Sequence, residues 1–150
     1  MGICVRMAPK KRPAADIVVL DGTRTAPTIV DQFELTSSAG LLSRQVYDLG
    51  QGLSSRIAGL KPGRIAVRVA DHAPIARNSD GPRIRLLAEG SLASAAVDTC
   101  GKTVDVIVEN GRDLAKRAGA VNKAAHDAVA EALVPERAKA TAAALSLLDP

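Results

Sequence analysis

A chain of 150 residues with 20 Lys and Arg against 16 Asp and Glu carries a formal charge of +4, and its length suits one domain with its own core. With one Phe, one Tyr and no Trp, it lacks the aromatic platforms on which single-strand binders stack bases, so the core must be Ala, Val, Leu and Ile. No apolar run approaches the ~18 residues of a membrane helix, Met1–Arg6 is too short for a signal peptide, and Cys4 and Cys100 form no ligand-spaced pair; a reduced, cytoplasmic protein with no membrane partner is expected.

Residues 1–13 hold Lys10, Lys11 and Arg12 between two prolines and show no periodicity, which reads as a flexible basic arm. Residues 14–150 then form a single domain. Ile17–Leu20 is a β-branched run ending in Asp21-Gly22, a buried strand closed by a turn. Thr28–Val30 and Phe33–Leu35 flank Asp31-Gln32 as two further strands of a tight meander. Leu42, Val46, Leu49, Leu53, Ile57 and Leu60 form one helical stripe, stopped by Lys61-Pro62-Gly63. Ile65, Val67 and Val69 alternate with Ala66, Arg68 and Ala70 as a strand. Asp71 to Asp80 is a loop, and Pro82 opens a second helix that runs to Cys100 before Gly101. Val104, Val106 and Val108 make another strand. A short helix from Leu114 to Ala118 and helices over Asn122–Leu133 and Pro135–Leu148 complete the chain. The order predicts an α/β fold: a mixed sheet of about five strands with helices on both faces. The expected core includes Val19, Val46, Leu53, Val67, Leu87, Val106 and Leu145.

Charge is uneven along this order. Between Arg44 and Arg85 eight basic residues face three acids, and Arg64, Arg68, Arg77, Arg83 and Arg85 are candidates for holding phosphates, together with Lys10, Lys11 and Arg12. An acid at the end of a buried strand needs a cation or several donors, which singles out Asp21; acceptance of N–H groups from its own turn is the plainer role. His72 stands alone in a loop with no second ligand spaced to join it. His126 reads as exposed and Cys100 as a small buried residue. Asp105 and Glu109 share one face of a strand and are further acidic candidates.

Four stretches resemble the RuvC-type resolvases of the ribonuclease H-like superfamily. Val18-Val19-Leu20-Asp21-Gly22-Thr23-Arg24 is similar to that family's first strand, which ends in a catalytic Asp before a Gly-rich turn. Leu60-Lys61-Pro62-Gly63-Arg64-Ile65-Ala66-Val67-Arg68 is similar to its helix-to-strand passage, where the strand ends in a catalytic Glu. Leu87–Ala96 is similar to its small-residue helix. Pro135–Leu145 resembles its last helix, where two Asp three apart precede an alanine-rich run. The resemblance implies a ribonuclease H-like sheet, a three-strand antiparallel meander followed by parallel strands, and relatives that dimerise. It also implies four carboxylates holding two Mg²⁺ ions. Carried over, these positions are Asp21, Arg68, Glu136 and Lys139, a vestigial set in which two ligands have become cations. The reading that follows is a resolvase-like nucleic-acid-binding protein without cleavage or cofactor, in which Asp21 pairs with Lys139 or Arg68. One alternative is a dimerising interaction module that kept the fold. Another is an active Mg²⁺ nuclease drawing its acids from Asp21, Asp71, Asp105, Glu109 and Glu136.

Overall fold

The computed structural model describes residues 1–71 and 80–150, so His72, Arg77 and most of the loop before the second long helix lie outside the described residues. Five strands, β1 (Gly2–Ala8), β2 (Arg12–Gly22), β3 (Pro27–Thr36), β4 (Arg64–Val69) and β5 (Asp105–Asn110), form one sheet in the order β3-β2-β1-β4-β5. β1, β2 and β3 run antiparallel, whereas β4 is parallel to β1 and β5 parallel to β4. This is the mixed sheet the sequence predicts.

One element of the expected meander is displaced. Gly2–Ala8, expected as part of a flexible arm, is the central strand, and its Ile3, Cys4 and Val5 are buried. Five apolar residues in seven, followed by Pro9, satisfy a short buried strand as well as they do an irregular terminus; only pairing on both sides decides. The two strands expected at Thr28–Val30 and Phe33–Leu35 are one strand. A bulge opposite Val19 and Leu20 absorbs Val30 and interrupts the alternation that reads as a turn. β2 is therefore not central, and β4 neighbours β1 rather than β2.

Two helices, α1 (Leu42–Leu60) and α2 (Asp80–Cys100), pack against one face of the sheet. α1 buries Leu49, Leu53 and Ile57 from its predicted stripe and stops where Lys61 turns left-handed (φ 48°) before Pro62. With Ile3, Val5, Ile17, Val19, Ile65 and Val67 they form the main core. The opposite face is covered by α3 (Gly111–Arg117), α4 (Lys123–Leu133) and α5 (Ala138–Leu145), with a 3-10 turn over Pro135–Arg137. The alanines of α5 let it lie directly on the sheet. A Cβ on Gly2 would stand 2.1 Å from the Ala140 carbonyl oxygen, so this crossing requires glycine. Val19, Leu53, Val67 and Leu145 are buried as expected; Val46 and Val106 are half-buried, and Leu87 is 45% exposed on the outer side of α2. Among the described residues no helix is long and apolar enough to cross a membrane.

Candidate nucleic-acid interface

Cα pairing aligns one residue from every strand: Glu34 on β3 lies opposite Asp16, Asp16 opposite Cys4, Cys4 opposite Arg68, and Arg68 opposite Glu109. Side chains of paired residues share a face, and here it is the face covered by α3, α4 and α5. At ~4.8 Å per strand this row spans roughly 19 Å. It lies where β1 and β4 approach their C-terminal ends and α5 begins.

Its charges are tied in distinct groups. The Arg6 guanidinium bridges Asp16 (3.2 Å) and Glu34 (2.6 Å). Arg68, 4% exposed, donates two hydrogen bonds to Asp127 on α4, Nη1–Oδ1 at 2.7 Å and Nη2–Oδ2 at 3.2 Å, and Lys123 Nζ reaches the same carboxylate at 3.0 Å. Burial acts to raise the Asp127 carboxyl, but hydrogen bonds from Arg68 and Lys123 outweigh it and hold it below the usual carboxylate range. Arg117 caps the row at Glu109, with Nη2–Oε1 at 2.5 Å. At the centre, burial pushes the Cys4 thiol up, while Arg85, Arg68 and Lys139 pull it down without reversing the shift.

Beside Cys4 a pocket of about 400 Å³ opens between β1, β2, the start of α2 and the turn into α5. Arg85 faces it from α2, held by Glu89 at 2.7 Å; that buried carboxylate also accepts the Ala70 N–H at 3.1 Å. Glu136 and Lys139 are exposed at its rim.

The sequence-predicted site residues divide between the two ends of the sheet. Arg68, Glu136, Lys139 and Arg85 come together around Cys4. Lys10 and Arg12 flank the β1–β2 turn at this same end, where Lys11 also lies, and Arg83 belongs to the first turns of α2. Asp21 does not join them. It sits on β2 five residues beyond Asp16, roughly 16 Å along the strand, exposed, and its Oδ1 accepts the Gly22 N–H at 2.8 Å. The expected pairing with Lys139 or Arg68 is thus replaced by the local turn role, because β1 rather than β2 occupies the centre. Arg64 is also at the far end, where Nη1 donates to the Leu147 carbonyl (2.8 Å) and to Asp149 (3.1 Å). The acids of the nuclease alternative do not converge either. Asp105 opposes Arg64 at the far end of the sheet, and Glu109 is engaged by Arg117. His126, expected exposed, is buried, its Nε2 2.8 Å from the Ala142 carbonyl. Cys100 is half-buried. Asp127 escaped sequence reasoning; its only local signal is Lys123 four residues earlier, a spacing shared by many solvated helix faces.

Two solved structures are similar to this chain. Thermus thermophilus RuvC aligns with a TM-score of 0.67 at 14% identity, over 97% of this chain and 90% of that one. T. thermophilus RuvC in complex with Holliday junction substrate aligns at 0.66 and 14%, over 97% and 88%. The chain has the RuvC fold. No family model matches it, and no curated protein matches its sequence.

Within the RuvC fold the first strand is β1, and Gly2–Ala8 contains no acid. The Gly-rich turn expected after that strand is Pro9-Lys10-Lys11. At the end of the sheet where Arg68, Glu136 and Lys139 gather, the central strand offers Cys4 and Arg6 and no carboxylate. Mg²⁺ takes hard oxygen ligands in octahedral geometry. A raised thiol, committed guanidinium groups, an ammonium, the exposed Glu136 and an Asp16 already held by Arg6 do not fit a Mg²⁺ pair. Among the described residues no group of three His, Cys, Asp or Glu could hold an ion.

Proposed function

We propose that this RuvC-fold protein binds branched or duplex nucleic acid without hydrolysing it and without a metal cofactor. The observation that carries the reading is Arg68: where the resemblance expects a metal-binding Glu, a buried guanidinium is locked to Asp127. A cation there repels Mg²⁺, so metal-ion activation of water has no support at this position. Binding is favoured by the basic residues gathered at this end of the sheet: Arg6, Lys10, Arg12, Arg83, Arg85, Arg137 and Lys139. They offer contacts to the phosphate backbone, giving weak sequence selectivity and steep salt dependence. The complex of a RuvC with a Holliday junction makes branched DNA the first substrate to try. Gel shifts on branched, duplex and single-stranded DNA and RNA, with end-labelled strands and added Mg²⁺ or Mn²⁺, test both halves. Absence of binding at low salt ends the reading; metal-dependent strand scission ends its non-catalytic part.

A second reading, a homodimeric interaction module, is favoured by the outer side of α2. Leu86 (68% exposed) and Val97 (50%) stand along it with Gly90 between them, where an added Cβ meets nothing within 4 Å. The alanine-rich α5 offers no such surface, being buried from Ala140 to Leu145. Dimerisation predicts a dimer mass in light scattering that Gly90→Arg converts to a monomer without loss of helicity; a monomeric parent protein excludes it.

A further inference from the structure

We infer that the pocket at the start of α5 binds a phosphate group directly on cationic side chains, with no divalent ion between phosphate and protein. This rests on the nucleic-acid reading for the source of the phosphate, and it deepens that reading by placing one phosphate in a defined pocket against two of the basic residues gathered there, Arg137 and Lys139.

The pocket is lined by four cations, Arg6, Arg85, Arg137 and Lys139, against the acids Asp16 and Glu136. Two of the cations are already committed: Arg6 is oriented by Asp16 and Glu34, and Arg85 by Glu89. Lys139 has no acidic partner among the described residues. Arg137 is more pointed. Its Nε–H is shielded with no acceptor among the described residues, and among them its side chain makes one hydrogen bond, a long 3.3 Å contact from Nη1 to Gln32. A guanidinium has five donors, and one engaged at a single long bond keeps the rest for water or a ligand. Guanidinium and phosphate match as a two-point hydrogen-bonded pair.

The helix adds an independent argument. No side chain caps α5, so its first N–H groups are unclaimed by side-chain acceptors and its N-terminal end is positive. Arg137 and Lys139 place two further positive charges at that end, the wrong sign for helix stability. An anion in the pocket answers these features together, since it pairs with the guanidinium of Arg137 that lines the pocket, neutralises Lys139 and complements the helix end. Where the family resemblance implies metal ions between carboxylates and phosphate, this chain has the cations built in.

The test uses the full chain in three arms. In EDTA, titration with inorganic phosphate should raise the melting temperature of the parent protein and leave Arg137→Gln and Lys139→Ala unmoved. Nucleic-acid affinity in EDTA should be no weaker than in Mg²⁺, which only competes with the protein for phosphates. Lys139→Ala should weaken binding on every sequence and reduce the slope of log K against log salt by about one. Lys139 is exposed, so a melting temperature without phosphate that is no lower than the parent's certifies its fold. Affinity lost in EDTA and restored by Mg²⁺ overturns the inference, as do unchanged binding and salt slope in both variants. Phosphate protection that depends on Lys139, in a protein that binds no nucleic acid, upholds the anion site and overturns only the nucleic-acid reading. Nucleic-acid binding with no effect of phosphate or of either variant does the reverse.

Discussion

The two ends of α5 carry cations in opposite electrostatic settings. Just past its C-terminus, Arg64 donates to the Leu147 carbonyl and Arg24 to those of Leu148 (2.9 Å) and Ala118. The acceptors are carbonyls of two residues after the last turn of α5 and, for Ala118, of the C-terminal cap of α3, so the positive charge stands where a helix end is negative. At its N-terminus, Arg137 and Lys139 oppose the dipole and lack matching acceptors. Arginines at the C-terminal end serve the fold. The two cations at the N-terminal end, Arg137 and Lys139, each lower stability by about 0.3–1 kcal/mol, which a bound anion would offset.

The sharpest way to break this contrast is to disturb the buried pair behind the pocket. Asp127→Ala strands Arg68 without its carboxylate and should destabilise the protein by about 3–5 kcal/mol in urea denaturation. Arg68 is further wedged by Gly111, where an added Cβ would stand 2.4 Å from its Nη2, so the side chain cannot swing out toward α3. A loss below about 1 kcal/mol would mean that Arg68 is solvated and that the row of charges across the sheet is not a structural unit.

At the fold-serving end, Arg24→Ala should cost about 1.5–3 kcal/mol, the value of charged hydrogen bonds to carbonyls, with nucleic-acid affinity unchanged. Equal loss of affinity there would erase the distinction between the two ends. Lowering the pH probes the layer between them, because His126 joins α4 to α5. Burial, the leading cause, holds its ring below the ordinary value of 6.5, opposed by the bond to Ala142 and by Asp127, and reinforced by Arg68 and Arg24. Since the unfolded chain takes up the proton more readily, stability is full above pH 6.5 and falls as pH drops from there to the folded-state value. Melting temperatures should decline over that window in the parent and flatten in His126→Leu; a parent curve that is level through it means the ring titrates normally. The smallest effect should come from Asp21→Asn, within about 0.5 kcal/mol, since an exposed turn acceptor is replaced by another. A loss of several kcal/mol would restore Asp21 to a buried partner and undo the strand assignment.

Much of this architecture is legible in the chain. The stripe from Leu42 to Leu60, the alternation of Ile65, Val67 and Val69, and the stops at Lys61-Pro62 and Gly101 are local signals, because they arise from helical and strand periodicity and from residues that tolerate a left-handed turn. The position of Arg68 as a cation at the end of β4 is likewise read directly from its strand. What local pattern does not contain is which strand lies in the middle. Gly2–Ala8 resembles a loose terminus until β2 and β4 pair with its two edges, and the bulge at Val30 divides one strand into an apparent two. That exchange moved Asp21 to the far end of the sheet. The partners of Arg68, Arg6 and His126 come from residues 59, 28 and 16 positions away respectively. Composition and periodicity act over one or two turns or strands and determined the elements; the pairing of buried charges acts through space, so only tertiary structure decided that the cations would gather where a metal site is expected.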